Sequence, residues 1–326
     1  MSGEIRIGIS SCLLGEQVRY DGGHKRDRFV DETLRPFVTF VPVCPEVELG
    51  LGTPREAIRI ERSGDALRLV GTRSGRDHTR AMRAYAARRA AALARLDLSG
   101  YILKKGSPSC GMERVPVYSS ASAASTARAA AGGKERTGRG FFATELIARL
   151  PLLPVEEEGR LQDPKLRENF IERVFAHRRV TDLFAGRWTV GDVVRFHTRE
   201  KMLLLAHSRV DYDALGRLVA NARALSRAEL AERYAAGFMS ALGKIATRGR
   251  HANVLSHMAG YFKRAIPPSD RAELAAGIDD YRRGLVPLVV PLTLVRHHVR
   301  ARGVEYLAGQ SYLEPHPKEL ALRNHV

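Results

Sequence analysis

Three cysteines are the residues of this 326-residue chain whose type and placement point most directly to chemistry. Cys12, Cys44 and Cys110 each follow a short apolar segment, and Cys110 lies in the polar stretch SPSCGM. Free cysteines usually pack in protein cores as small hydrophobic residues. A thiol in a loop of Ser, Pro and Gly just after a strand-like segment therefore indicates a chemical role.

The elements that must position these thiols are three apolar segments, IRIGIS (5–10), FVTFVPVC (37–44) and the segment starting GYIL at 100. Strand-like and helical segments alternate over residues 1 to about 150, which predicts an α/β domain with a mainly parallel, Rossmann-like sheet. In such a sheet the loops beyond the carboxyl ends of the strands meet at one crevice, where ligands bind. We therefore expect all three thiols at one edge of one sheet.

Three thiolates without a fourth suggest a metal centre with an open coordination position. Soft thiolate ligands select iron–sulfur clusters, zinc or copper(I). A four-iron cluster normally takes four cysteines, so a cluster held by three would leave one iron free to bind substrate as a Lewis acid. Zinc held by three cysteines and a histidine or water competes with this interpretation. Three unrelated cysteines are the third alternative, and the residues alone do not choose among them.

Carboxylate and hydroxyl groups lie close to two of the thiols in the sequence. Glu46 follows Cys44 by two residues and is the candidate general acid or base, ahead of Glu48. Ser107 and Ser109 lie just before the third cysteine, and their hydroxyls could bind the substrate or an attacking water. Turn formation explains the two serines equally well, and backbone hydrogen bonding could explain the carboxylate.

Weaker candidates for substrate binding lie around the first thiol. Ser11 is adjacent to it, and the glycine-rich stretch YDGGHK ends in His24 and Lys25, which could cover the site or contact a ribose or phosphate. This stretch lacks the G-x-x-x-x-G-K-[ST] spacing of a phosphate-binding P-loop.

The second half of the chain has a different pattern, which predicts an all-helical bundle. A segment with three prolines and an acidic run, PLLPVEEEGRLQDPKLRENF, marks the boundary, and we predict domains at 1–155 and 156–326. On one predicted helix, Asn253, His257 and Tyr261 recur every four residues and share a face, as pocket-lining or interhelical hydrogen-bonding groups would. The predicted helices cover 164–183, 191–207, 211–224, 226–247, 251–264, 268–284 and 286–307.

Composition and sequence patterns argue against several classes of protein. No apolar run reaches the 18 residues typical of a membrane span, and MSGEIRIGIS does not resemble a signal peptide. An odd number of cysteines argues against a disulfide framework, so we expect a cytoplasmic protein. The net charge of +17 is compatible with nucleic acid as a partner, although solvent-exposed arginines on Ala-rich helices also explain it. The sequence indicates no oligomeric state.

Three motifs in order, GISSCLLGEQVRYDGGHK, VPVCPEVELGLGTPRE and ILKKGSPSCGM, resemble the thiouracil desulfidase family over residues 5 to about 150. Stretches including FHTREKMLLLAHS and NVLSHMAGYFK resemble an all-helical domain of unknown function that is often fused to the first. The resemblance implies a [4Fe-4S] cluster held by Cys12, Cys44 and Cys110, whose fourth iron takes the sulfur of a thiolated uracil. Water would replace that sulfur, giving uracil and sulfide without net electron transfer. The resemblance also favours Ser107 as a catalytic residue.

Two further hypotheses stay open beside the desulfidase. One is a zinc-dependent hydrolase acting on thiolated or amide substrates. The other is an RNA-binding or adaptor protein whose helical half recognises thiolated RNA, which the positive charge supports.

Overall fold

The computed structural model describes residues 3–119 and 134–325. The chain divides into two compact units, Glu4–Gln162 and a helical unit that begins at Asp163. Within residues 3–119 and 134–325, no helix is long and apolar enough to cross a membrane.

The first unit contains two four-stranded sheets. Sheet A has the order β2-β1-β5-β8 with every pair parallel, and sheet B has the order β4-β3-β6-β7 with one parallel and two antiparallel pairs. The prediction of an α/β unit with a mainly parallel sheet is confirmed. β3 and β4 form an antiparallel hairpin. The strands are β1 (Arg6–Ser10), β2 (Thr39–Val43), β3 (Ile58–Ser63), β4 (Ala66–Gly71), β5 (Leu98–Leu103), β6 (Val115–Ser119), β7 (Lys134–Gly138) and β8 (Val155–Glu157).

β1 lies between β2 and β5, and its register aligns the carboxyl ends of all three strands. Ser10 pairs with Val43 at the end of β2, and Ile9 pairs with Ile102 near the end of β5. Gly8 permits this close packing, because an added Cβ there would collide with the Tyr101 ring on β5. The loops after β1, β2 and β5 therefore leave the sheet side by side.

The described part of the first unit contains the α-helices α1 (Pro45–Glu48), α2 (Thr79–Leu93) and α3 (Phe141–Arg149). Buried residues of α2 and α3 join those of β5 in one hydrophobic core. Helix α2 starts at Thr79 with His78 in the cap position. The Asp77 carboxylate accepts a hydrogen bond from the Thr79 amide at 2.8 Å.

Two segments differ from the elements that the sequence predicts. Residues 155–157 pair with β5 as the edge strand β8, so the first unit extends past the predicted boundary to Gln162. β7 occupies residues 134–138 of the small-residue stretch 123–140, which we expected to be a loop. The earlier part of that stretch, to residue 133, lies outside the described residues.

The second unit is helical throughout its main elements, as predicted. Side-chain caps begin several helices, including Asp163 on α4 and a capping box between Thr189 and Asp192 on α5. The helices are α4 (Pro164–Phe184), α5 (Val190–His207), α6 (Arg209–Ala220), α7 (Arg227–Leu242), α8 (Arg248–Gly260), α9 (Pro268–Arg283), α10 (Val289–Arg302) and α11 (Glu305–Ala308).

Candidate active site

The three cysteines line a single cavity of about 410 Å³ beside the carboxyl ends of β2, β1 and β5. Cys12 lies in a 3-10 turn directly after β1, and Cys44 lies between β2 and α1. Cys110 lies in the loop after β5. The parallel order of these strands explains why residues so far apart in the chain meet at one place.

The start of α3 holds the Cys110 loop in position. The first two amides of this helix donate to the carbonyls of Pro108 and Ser109, at 3.1 and 3.0 Å. Helix amides at the N-terminus have no partner within the helix, so this loop satisfies them. Gly140 precedes the helix, and a Cβ there would lie 2.8 Å from the Cys110 nitrogen. Only glycine lets the two backbones approach this closely.

Burial keeps all three thiols protonated when nothing is bound to them. It raises the pKa of Cys12 to about 11, raises that of Cys44, and holds that of Cys110 well above the usual range. The Ser10 hydroxyl opposes this effect at Cys110 by hydrogen bonding to its sulfur. A thiolate is the form that binds metal, so a bound cationic centre would have to replace the three protons.

Positive side chains surround the thiols. Five basic residues and one carboxylate, Glu46, line the cavity. Carboxylates already pair with three of these side chains, and the remaining two, Lys25 and Lys105, favour an anion in the cavity, such as a metal centre carrying several thiolates or a negatively charged substrate. The five basic residues are Arg19, Lys25, Arg55, Lys104 and Lys105.

Glu46 is held by contacts that suit an ionised carboxylate. The Arg55 guanidinium donates to it from Nε and a terminal nitrogen at 3.0 and 2.7 Å, and the Ser109 hydroxyl donates at 3.0 Å. Sequence reasoning missed Arg55, although it lies in the motif VPVCPEVELGLGTPRE, because nothing in that stretch pairs it with Glu46 before the fold is known. Glu48 does not line the cavity, and its carboxylate accepts instead from the Tyr85 hydroxyl at 2.8 Å.

The remaining predicted site residues fall into two groups. Ser11, Lys25 and Ser107 line the cavity, whereas Ser109 and His24 do not. The Ser107 oxygen accepts from two backbone amides of its own turn, at 3.2 and 3.1 Å, which leaves its proton available to another group. The exposed His24 ring accepts from a backbone amide two residues later.

The donor set fits a cluster of several metal atoms. Over residues 3–119 and 134–325, no group of three His, Cys, Asp or Glu side chains is arranged to hold one metal ion. A single tetrahedral zinc needs its thiolates to converge to about 2.3 Å from the metal. The three cysteines line one cavity, and cysteine thiolates are the usual ligands of iron–sulfur clusters, so their chemistry fits such a cluster.

Two family models match separate parts of the chain. The family described as 2-thiouracil desulfurase matches residues 7–158, and a family of unknown function, DUF1722, matches residues 201–317.

Two bacterial relatives and one solved structure are similar to the chain. The uncharacterised protein YbgA of Escherichia coli is 35% identical over 47% of this chain and 90% of its own length. The uncharacterised protein YbbK of Bacillus subtilis is 37% identical over 32% and 72%. The solved structure of the [4Fe-4S]-dependent thiouracil desulfidase TudS is 32% identical over 51% of this chain and 97% of its own, with a TM-score of 0.37. The chain therefore belongs to the 2-thiouracil desulfurase family through its first unit, and its helical unit carries a DUF1722 domain.

Proposed function

We propose that this protein is an enzyme that removes sulfur from a thiolated pyrimidine, such as 2-thiouracil, by hydrolysis. Water exchanges its oxygen for the thiocarbonyl sulfur, so the products are uracil and hydrogen sulfide and no electrons are gained or lost. The observation that carries this proposal is the meeting of three thiols and Glu46 in one cavity, in a family named for this reaction.

Cys12, Cys44 and Cys110 would hold a [4Fe-4S] cluster, which with only three protein ligands supplies a Lewis acid for the substrate sulfur. The cluster core with three thiolates is an anion, and the basic residues of the cavity stabilise such a charge. The buried Ser10 hydroxyl adds a hydrogen bond to the Cys110 sulfur.

Glu46 acts as the general base. Arg55 and Ser109 fix its carboxylate at the cavity wall, so it is placed to take a proton from the attacking water. Ser107 positions the pyrimidine, because its oxygen is already an acceptor for two amides and its proton is free to donate to a ring oxygen or nitrogen. Ser11 and Lys25 provide further polar contacts on the same wall.

The first experiment measures iron, acid-labile sulfide and zinc after anaerobic purification of the wild type, Cys110→Ser and Glu46→Gln. We expect about four irons and four sulfides per chain in the wild type and in Glu46→Gln, and a large loss in Cys110→Ser. On adding 2-thiouracil, only the wild type should release sulfide at the full rate. Zinc without sulfide in all three proteins would favour the hydrolase hypothesis and refute the cluster.

A second candidate function, RNA binding by the helical unit, is favoured by an exposed aromatic stack. Tyr261 is 42% exposed and stacks on Tyr306 with 5.3 Å between ring centres, and His257 packs edge-on against it. Lys201 and Arg209 lie near enough to lower the pKa of His257, although burial is the larger cause. Aromatic rings beside cations are typical of surfaces that stack nucleic-acid bases.

RNA binding is tested by filter binding of a thiolated RNA at two salt concentrations. We expect affinity that falls with salt, survives replacement of all three cysteines, and is reduced by Tyr261→Ala. Equal retention of RNA by Tyr261→Ala and the wild type would exclude this surface.

A further inference from the structure

A second cavity, of about 220 Å³, lies within the helical unit. Residues of α4, the last residue of α5, the start of α8, one residue of α9 and the C-terminal segment line it. Several of them carry chemistry that the thiol site does not use: Glu168, Glu172, His207, His251 and Tyr281. The desulfidase proposal gives this cavity no role.

A saturated network of buried charges forms the floor of this cavity. Glu172 accepts from His207 Nε2 at 2.5 Å and from Arg323 at 2.9 Å. The other ring nitrogen of His207 faces the Lys244 carbonyl at 2.6 Å, so both nitrogens of the ring face acceptors. Because each of these groups already has its partners, the network fixes the shape of the cavity and offers little to a ligand.

Two buried donors on the wall retain capacity for a ligand. Tyr281 is 5% exposed, and within the described part of the chain its hydroxyl has no hydrogen-bond partner. Burial holds the pKa of Tyr312 far above its usual range, so its hydroxyl stays protonated, and its oxygen lies 2.9 Å from His251 Nδ1. We assign Tyr312 as the donor of this pair, and with that assignment the proton of the His251 ring is on Nε2, as a donor for a ligand in the cavity.

Two cations and one carboxyl complete the set of groups that a ligand would meet. Lys165 and Arg248 lie in the first turns of α4 and α8, where the helix dipole also favours anions, and in the described residues neither has a carboxylate within 4 Å. Glu168 is the acceptor: it contacts Arg323 at 3.2 Å and His325 at 3.6 Å and also lines the cavity.

We propose that this cavity binds a small zwitterion of the α-amino-acid type. Its carboxylate would meet the two cations with the Tyr281 and His251 donors, and its ammonium group would meet Glu168. A small side chain would lie against the apolar residues Ile245 and Leu288. The volume is that of about seven water molecules, which suits a ligand of this size.

Isothermal titration of the full-length protein with L-alanine and with L-valine tests the proposal, with acetate and ethylamine as probes of each charge alone. We expect saturable binding of at least one amino acid, at least tenfold tighter than either single-charge probe at the same ionic strength. Binding of acetate as tight as that of both amino acids would overturn the zwitterion, and so would the absence of saturable binding by either amino acid.

Two variants locate the binding. At pH 8, where Glu168 is ionised, Tyr281→Phe removes one oxygen and Glu168→Gln removes one charge. Each should weaken amino-acid binding about tenfold, while Tyr261→Phe serves as a matched control on an exposed tyrosine. Thermal unfolding of each variant checks that it folds. Unchanged affinity in both Tyr281→Phe and Glu168→Gln would place the binding elsewhere and refute the site.

Discussion

Arg55 and Glu46 meet through a single carboxylate oxygen. Two of the three guanidinium nitrogens of Arg55, Nε at 3.0 Å and a terminal nitrogen at 2.7 Å, donate to Oε2 of Glu46. Oε1 accepts from the Ser109 hydroxyl at 3.0 Å. The Arg55 side chain is 5% exposed, so the pair is largely shielded from water. The two oxygens of Glu46 therefore differ, and Oε1 is the one available to take a proton.

Replacing Arg55 should separate catalysis from cofactor binding. Arg55→Gln removes the group that fixes Glu46, so we expect kcat for sulfide release to fall by on the order of 10²-fold with a smaller change in KM. Arg55→Lys keeps the charge but not two parallel donors, and should lie between Arg55→Gln and the wild type. Iron content should stay at the wild-type level in both variants. Arg59→Gln, at a partly exposed arginine of the same unit, is the control. Equal loss of iron and activity in Arg55→Gln would show that the arginine only supports the fold.

Gly140→Ala should disrupt the site through the backbone. The new Cβ would press on the loop that carries Cys110, so we expect loss of bound iron and a thermal midpoint several degrees lower. Gly249→Ala is the matched control, because nothing lies within 4 Å of a Cβ at that helical position. Normal iron content in Gly140→Ala would mean that the loop can shift without losing the thiol.

The basic lining of the thiol cavity predicts a preference for a negatively charged substrate. We expect kcat/KM for 2-thiouridine 5′-monophosphate to exceed that for 2-thiouracil, and the difference to shrink as salt rises. Lys105→Gln should reduce the advantage of the nucleotide and leave the reaction of the free base nearly unchanged, whereas Lys25→Gln should slow the reaction of both substrates. The same kcat/KM for both substrates at low salt would contradict this prediction.

Between pH 4.5 and 7, rising pH should lower the free energy of unfolding of the wild type more than that of Glu168→Gln. Burial raises the pKa of Glu168 to about 7, despite the opposing attraction of Arg323. The folded protein therefore keeps a proton that the unfolded chain releases near pH 4.5, and this contribution is complete below that pH and lost as pH rises through 7. It amounts to on the order of 3 kcal/mol. The other titratable and charged groups around it are Glu172, His207, His325, His251, Tyr281, Lys165, Arg248 and Arg323.

Chemical denaturation from pH 4.5 to 8 measures this effect. We expect the free energy of unfolding of the wild type to fall relative to that of Glu168→Gln over this range, while Glu273→Gln, at an exposed position, follows the wild type. If the free energy of unfolding of the wild type instead rises relative to that of Glu168→Gln, Arg323 has a larger effect on the pKa of Glu168 than burial has.

The sequence allowed the thiol cavity to be anticipated because topology, not local spacing, brings the cysteines together. Strand-like segments before Cys12, Cys44 and Cys110 were enough to infer one sheet edge, since parallel strands end on the same side. The helices of the second unit were also predictable, because long helical segments follow one another there with few strand-like segments between them.

Other features depend on contacts that a single sequence does not encode locally. Glu156 and Glu157 are buried in β8, and two acidic residues give no strand signal. Nothing in the sequence pairs Arg55 with Glu46, and the two side chains meet only in the folded structure. The contact between Gly140 and the Cys110 loop joins backbones that are separate in the chain. The cavity of the helical unit depends on Arg323, which comes from the far C-terminal end.

The wide sequence separation of the three thiols also dictates the order of assembly. In an unfolded chain, bringing Cys12, Cys44 and Cys110 together would close two long loops at an entropic cost. Each of the three thiols lies on a different segment, so no single segment carries two of the ligands. The sheet must therefore form before a cluster can be inserted. A cluster held by the three proposed ligands would cross-link the ends of β2, β1 and β5, and it would stabilise the native state because only that state could bind it. In the proposed function, cofactor loading would then be a late maturation step that also stabilises the fold.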